Sequence, residues 1–99
     1  MSHALRARRS PPAKLGRALF SDETWAGLAP ELKLSPRELQ IVQLVFDECA
    51  EGQMAERLDI SVHTVHTHLD RVYRKLGVRT RAGLVIRVCG AHIDGIANC

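Results

Sequence analysis

The stretch that decides the fold is residues 51–77, EGQMAERLDISVHTVHTHLDRVYRKLG. In its second half, apolar residues recur at intervals of three and four: Val62, Val65, Leu69, Val72 and Leu76. This spacing predicts an amphipathic helix at 62–75 with one apolar side. Ser61 suits the N-cap of that helix, and Gly77 suits its C-terminal end. The preceding residues, EGQMAERL, predict a short helix at 51–58. The tight segment DIS joins this helix to the longer one.

Two more helices are predicted upstream of this pair. Ser35 stands three residues before Glu38, with a proline at the first helical position, and this capping box opens a helix at 36–49. Ser21 opens a shorter helix, for which Trp25 is the expected anchor.

Downstream, a terminal helix is predicted at 80–91. It carries more apolar residues than one side of a short helix needs to bury, so the excess is a candidate partner surface. The predicted fold class is all-α: four helices form the main domain, and a short extra helix precedes them.

The length and amino-acid composition limit the class of protein that this chain can be. Ninety-nine residues fit one small domain. No apolar run approaches the roughly 18 residues of a membrane span, and none follows the N-terminal charges as in a secretory signal. We therefore expect a cytoplasmic protein that does not contact membranes. Three cysteines without a C-x-x-C pair argue against a disulfide framework or a zinc finger, and Cys49 is expected in the core.

Charge is unevenly distributed along the chain. Residues 1–17 hold five basic residues and no acid, residues 18–60 hold three basic and nine acidic residues, and residues 61–99 hold six basic and two acidic residues. Two positive regions around an acidic middle indicate an anionic partner that binds specific parts of the chain. Residues 1–20 are predicted to form a flexible basic arm, which either touches phosphates or has no role.

The histidines at 62–75 allow three interpretations. His63 and His66 could share a metal ion, but His68 points elsewhere on the helix and no cysteine or carboxylate set completes a site. No catalytic motif accompanies them, so we expect no enzyme, no metal and no cofactor. Nucleic-acid binding explains more, because two helices joined by a tight turn, with a polar and then basic outer face on the second, fit a helix-turn-helix.

The stretches LSPRE, MAERLDIS, TVHTHLDRVYRKLGV and RTRAGLV, within residues 34–88, resemble the LuxR-type (GerE-like) helix-turn-helix family of bacterial transcription regulators. The resemblance spans more than half of the chain. It implies a four-helix domain that binds double-stranded DNA, usually as a homodimer through the fourth helix, with the third helix at about 62–75 in the major groove.

The resemblance also implies roles for individual residues. Base contacts fall on His66, Thr67 and Asp70, with His63 at the leading edge. Phosphate contacts fall on Ser61, Thr64, Arg71, Arg74, Lys75 and Arg79. His68 matches a family histidine that bonds either the DNA backbone or the fold. Arg37 and Glu38 are expected to orient the first helix. Dimer contacts fall on Leu84, Val85 and Val88.

Departures from the family pattern bear on DNA affinity. His63 and His66 stand where lysines are usual, so binding is expected to tighten as the pH falls from about 8 to 6. Glu51 and Gly52 replace an Asn-Lys pair. Asp70 adds a negative charge, although an acid can accept a hydrogen bond from cytosine. These changes indicate lower general affinity, a different sequence preference, or lost DNA binding.

The predicted function is sequence-specific DNA binding by a stand-alone transcriptional regulator. The alternative is a helix-turn-helix-derived module that has lost DNA binding and binds a protein such as another regulator. Residues 1–33 are too few for a sensory domain. The predicted organisation is an arm at 1–20, a short helix at 21–33, the DNA-binding domain at 34–92 and a tail at 93–99.

Overall fold

The computed structural model describes residues 16–97, and all of its helices and turns lie in that range. A 3-10 turn, Arg17–Leu19, comes before five α-helices. They are α1 (Asp22–Glu31), α2 (Pro36–Phe46), α3 (Glu51–Leu58), α4 (Val62–Leu76) and α5 (Arg81–Ala97). The described part of the chain holds no strand, so the all-α prediction is confirmed.

The predicted helix starts are confirmed by their caps. The hydroxyl of Ser21 accepts the backbone N–H of Thr24 at 3.1 Å. Ser35 and Glu38 form the capping box, in which each side chain accepts the other residue's backbone N–H. These caps satisfy amide groups that the first turn of a helix leaves without partners.

Two predicted helix ends are wrong. The helix predicted at 36–49 ends at Phe46, because Glu48 adopts a left-handed conformation (φ 60°) that helix geometry excludes. The terminal helix was expected to end at Ala91 but continues to Ala97, through most of the segment assigned as a tail. Its additional turn is anchored because Ala91 is buried, and His92 lies 4.7 Å from Phe20 between ring centroids.

One apolar core joins all five helices. Its fully buried side chains come from every helix: Trp25, Ile41, Val42, Met54, Val65, Val72, Leu84 and Val88. Trp25 is the anchor expected for α1, and Cys49 is a core residue as expected. α4 packs against α2 and α3, and α5 covers the side formed by α1 and α2.

The start of the described chain belongs to the domain. Arg17 donates to Asp47 through its backbone N–H at 2.8 Å and through Nε at 3.0 Å. The carbonyl of Arg17 accepts Trp25 Nε1–H at 2.8 Å. A side chain at Gly16 would collide with the backbone oxygen of Phe46, so this close approach requires glycine. The predicted arm at 1–20 is therefore wrong for residues 16–20, and its first 15 residues lie outside the described range.

An ion pair with a buried carboxylate fixes α4 against α2. Lys75 Nζ donates to Glu38 Oε1 at 2.6 Å and to the carbonyl of Lys33 at 2.9 Å. Burial raises the pKa of Glu38, but the hydrogen bonds from Lys75 and the Ser35 backbone outweigh it and hold the pKa below 4.5. The structural role expected of Glu38 is confirmed, because this carboxylate joins the start of α2 to the end of α4.

Candidate nucleic-acid interface

α3 and α4 form a helix-turn-helix with a three-residue turn, Asp59–Ser61. Asp59 adopts the left-handed conformation (φ 55°), which an aspartate tolerates better than most residues. The N–H of Ile60 then bonds the Ala55 carbonyl at 3.1 Å, so the end of α3 is capped. Ser61 immediately caps α4, and the two helices therefore change direction without losing backbone hydrogen bonds.

The apolar side of α4 lies against the core as predicted, with one exception. Val65, Leu69, Val72 and Leu76 are buried, but Val62 is 49% exposed. Val62 occupies the first helical position, beyond the point where α2 and α3 cover the helix. The opposite side of α4 faces solvent, and its exposed residues are His63, His66, Thr67, Asp70, Arg71 and Arg74.

The hydroxyl groups at the start of α4 already have partners inside the helix. Ser61 Oγ accepts the Thr64 backbone N–H at 3.0 Å and is bonded to Thr64 Oγ1 at 2.9 Å. Thr67 Oγ1 donates to the His63 carbonyl at 3.1 Å and keeps its lone pairs and methyl group toward solvent. These residues therefore present a structured, uncharged surface at the N-terminal end of α4.

The three histidines of α4 lie in different surroundings. His63 is exposed. His66 is exposed too, with Nδ1 3.7 Å from Glu51 Oε1 at the start of α3. His68 is half-buried, and its Nδ1 is buried without a hydrogen-bond partner among the described residues. The fold therefore supplies no bond to that nitrogen, and the choice between the two roles expected of His68 stays open.

The basic residues of α4 and of the segment that follows it differ in their contacts. Arg71 and Arg79 are exposed, and no ion pair to either is formed within residues 16–97. Arg74 is exposed and bonded to Asp70 one turn earlier. Lys75 is held by Glu38 and the Lys33 carbonyl. A phosphate role for Lys75 is therefore not supported, because its ammonium group is bonded within the domain.

The residues expected at a dimer contact are mostly unsuitable for one. Leu84 and Val88 are fully buried in the core, and Val85 is half-buried. The predicted contact through Leu84 and Val88 is wrong, because these side chains hold α5 to α1 and α2. The exposed side of α5 instead carries Ile86, Ile93 and Ile96, which are 71%, 62% and 60% exposed.

We define the outer stripe of α5 as Ile86, Cys89, Ile93 and Ile96. Their intervals of three, four and three place them along one side of the helix. The same spacing is visible in the sequence, but it competes with Leu84, Val88 and Ala91, whose spacing fits a buried side equally well. Sequence reasoning also missed Arg81, whose Nη1 donates to the Cys49 carbonyl and ties the start of α5 to the segment between α2 and α3.

Two further kinds of site can be assessed within residues 16–97: metal-binding sites and membrane-spanning helices. No group of three or more histidine, cysteine, aspartate or glutamate side chains is placed to hold a metal ion. None of the helices there has the length and apolar character needed to cross a bilayer.

A sequence profile for "Bacterial regulatory proteins, luxR family" matches residues 32–88, which run from the end of α1 into α5 and include the whole helix-turn-helix. The chain belongs to the luxR family. The family consists of regulatory proteins and is not an enzyme class, and the resemblance seen in the sequence is confirmed.

Similar proteins are regulators too. A protein described as "Putative HTH-type transcriptional regulator" from Mycobacterium bovis (strain ATCC BAA-935 / AF2122/97) is 44% identical over 52 residues, which are 52% of this chain and 6% of that protein. The HTH-type transcriptional regulator MalT of Yersinia pestis (strain Pestoides F) is 38% identical over 48 residues, 48% of this chain and 5% of that protein. The chain thus spans only a small fraction of these relatives. No solved structure matches it.

Proposed function

We propose that the chain binds double-stranded DNA in a sequence-specific way and regulates transcription, with α4 inserted in the major groove. The observation that carries this proposal is the solvent-facing side of α4, which stays open along the helix while the apolar side is buried in the core from Val65 onward. The major groove of B-DNA is wide enough to admit one such helix.

The proposed contacts follow from the position of each side chain on α4. His63, His66, Thr67 and Asp70 face away from the core and reach base edges. Arg71, Arg74 and Arg79 neutralise phosphates, and the paired hydroxyl groups of Ser61 and Thr64 at the start of α4 have one O–H left to donate to the DNA backbone. Lys75 is left out of this set because Glu38 holds it.

We further propose that two copies associate through the outer stripe of α5, in place of the core residues predicted from sequence. Exposed isoleucines in a row are unusual on a monomer surface and mark contact sites. A two-fold dimer would bring the stripe of each copy against that of the other and would place two α4 helices over two half-sites. Leu84 and Val88 then act indirectly, by holding α5 in position.

Selection from a random duplex pool tests the proposed function. The full chain should enrich a paired half-site motif, and Thr67→Ala should alter that motif. Gln40→Ala is the matched control, because Gln40 is exposed on α2 and off the recognition surface. Affinity should fall steeply with added salt, with a slope of about −0.9 for each phosphate contacted. Absence of both enrichment and salt-dependent binding would overturn the proposal.

The alternative function is a module that binds another regulator protein. Two observations favour it: the isoleucines of the outer stripe are exposed, and Glu51 and Asp70 place negative charge on the surface that would face phosphates. A module of this kind should show no salt-dependent duplex binding, and its partner binding should be lost when the outer stripe is made polar. The salt dependence of duplex affinity therefore separates the two functions.

A further inference from the structure

Asp70 has an unusual place on a helix that approaches DNA. Its side chain lies opposite the buried stripe of Val65, Leu69, Val72 and Leu76, on the part of α4 farthest from the core. At about 100° per residue, Asp70 falls within about 50° of the outermost direction, and His63, Thr67 and Arg74 lie closer to it. When α4 enters a groove, this carboxylate therefore points toward the base edges rather than the groove walls.

A negative charge at this position needs an explanation. Asp70 is the only acidic residue between Val62 and Leu76. A carboxylate near DNA is repelled by the phosphates, so it lowers the affinity for every sequence alike. Its ion pair with Arg74 is exposed on both sides, and exposed pairs one turn apart contribute little to helix stability. Stability is therefore a weak reason for the carboxylate.

The contact with Arg74 offsets the charge and restrains the carboxylate. Arg74 Nη2 donates to Asp70 Oδ2, and the Asp70 side chain remains half exposed. A carboxylate has lone pairs for more than one donor, so Oδ1 can still accept from a base. The pair is close to neutral overall, so its approach to the duplex is less unfavourable than that of an isolated aspartate.

The chemistry of an acceptor-only group selects among the four bases. In the major groove guanine presents two acceptors and thymine presents an acceptor, and both repel a carboxylate. Adenine presents the N6 donor beside the N7 acceptor, an arrangement that suits an amide. Cytosine presents the N4 donor and no acceptor of its own, and the acceptor beside N4 belongs to the paired guanine. Cytosine is thus the base whose own major-groove edge offers an ionised Asp70 a donor and no acceptor.

We propose that Asp70 is a specificity-determining residue that selects a C·G base pair in each half-site, and that Arg74 is a positioning residue that holds its carboxylate. This inference rests on the proposed DNA-binding function and adds the identity of one base pair. It accounts for an acid on the surface that faces DNA, because the general affinity lost to repulsion is offset by discrimination at one position.

The test compares ratios of affinity, so that general charge effects cancel. The full chain is used to select duplexes from a random pool. Its affinity is then measured for the selected duplex and for a duplex in which the C·G pair is replaced by deoxyuridine paired with adenine. This replacement turns the N4 donor into an acceptor without adding a methyl group. We expect the wild-type protein to prefer cytosine at least about fivefold, as a mismatched pair usually costs that much or more.

Two sets of variants complete the test. Asp70→Ala should reduce the preference to below about twofold, and Arg74→Ala should reduce it in part, with recovery in Arg74→Lys. Asp94→Ala is the control, because it removes the same charge from an exposed position on α5. Melting temperatures should not change among these exposed variants. The inference is supported if Asp70→Ala loses the cytosine preference and Asp94→Ala keeps it.

The negative outcomes are distinguishable. The role of Asp70 is overturned if the wild-type protein selects a motif without cytosine, or if the cytosine preference survives in Asp70→Ala. Either result leaves the proposed function intact. A wild-type protein that selects no motif overturns the proposed function, and the role of Asp70 with it.

Discussion

Replacing Lys75 by methionine tests whether its ammonium group stabilises the domain rather than contacting DNA. Methionine keeps an aliphatic stem but removes the ammonium group. Glu38 Oε1 then loses the hydrogen bond that it accepts from Lys75 Nζ at 2.6 Å. A hydrogen bond to a charged group contributes about 1.5–3 kcal/mol, and breaking a fully buried ion pair costs about 3–5 kcal/mol. The Glu38 side chain is 3% exposed but that of Lys75 is 35% exposed. We therefore expect a loss near the lower figures, about 2 kcal/mol.

Thermal unfolding followed by circular dichroism measures this loss. At about 4–8 °C per kcal/mol for a domain of this size, Lys75→Met should melt about 8–16 °C below the wild-type protein at pH 7. The pKa of Glu38 is lowered in the folded protein, so its stabilising contribution is present above the ordinary pKa of 4.5 and is lost as the pH falls through the lowered value. The difference between the two proteins should therefore shrink in acid.

Arg71→Met provides the matched control, because Arg71 is exposed on the same helix and makes no ion pair within the described residues. It should leave the melting temperature unchanged and weaken DNA binding, whereas Lys75→Met should leave the salt dependence of binding unchanged. The reasoning is refuted if Lys75→Met melts like the wild-type protein and reduces the salt slope by about 0.9, as loss of a phosphate contact would.

Three further predictions follow from the exposed and partly buried contacts. Alanine at Arg71 or Arg79 should reduce the salt slope by about 0.9 each and weaken binding to all sequences alike, and a sequence-dependent loss in filter-binding measurements would contradict the phosphate role. Ile93→Glu should shift the protein toward monomer in light scattering without lowering its melting temperature, and a persistent dimer would exclude the outer stripe as the contact. Deleting residues 1–20 should destabilise the domain by at least about 2 kcal/mol in urea unfolding, because the side chain of Asp47, 1% exposed, loses Arg17; equal stability would show that the contact is not needed.

The local signals in the sequence were sufficient for the helix starts and for α4. Serine caps and a capping box act within one turn, so their chemistry is visible in four consecutive residues. The side of α4 that faces the core was equally visible, because the outer face there is polar and the two sides differ in character. The helix-turn-helix and the open surface of its second helix were therefore predictable.

The role of Lys75 was not predictable, because it depends on a residue 37 positions away in sequence. From sequence, a lysine at the basic end of a recognition helix is indistinguishable from the arginines beside it. Only the packing of α4 on α2 brings the ammonium group to Glu38. Arg17 presents the same problem, since its partner Asp47 lies 30 positions away and its neighbours in sequence suggest a flexible segment.

The buried side of α5 could not be chosen from sequence because the helix is apolar on most of its surface. Leu84 and Val88 form one line of apolar residues, and Ile86 and Ile93 form another. Which line enters the core depends on where α1 and α2 lie, and α1 lies entirely outside the segment that matches the family. For this reason the sequence assigned Leu84 and Val88 to the surface, although both are buried in the core.

Two ion pairs of α4 have different roles. One fixes the helix to the rest of the domain, and the other lies on the surface that is open to a partner. The pair of Lys75 and Glu38 joins two helices through a buried carboxylate, so removing either partner changes the stability of the domain. The pair of Asp70 and Arg74 is exposed within one helix, so its removal has little effect on stability and changes only the surface proposed to contact DNA. If this division is correct, Lys75→Met at a temperature where it remains folded should retain the cytosine preference, while Asp70→Ala should lose the preference and retain the stability.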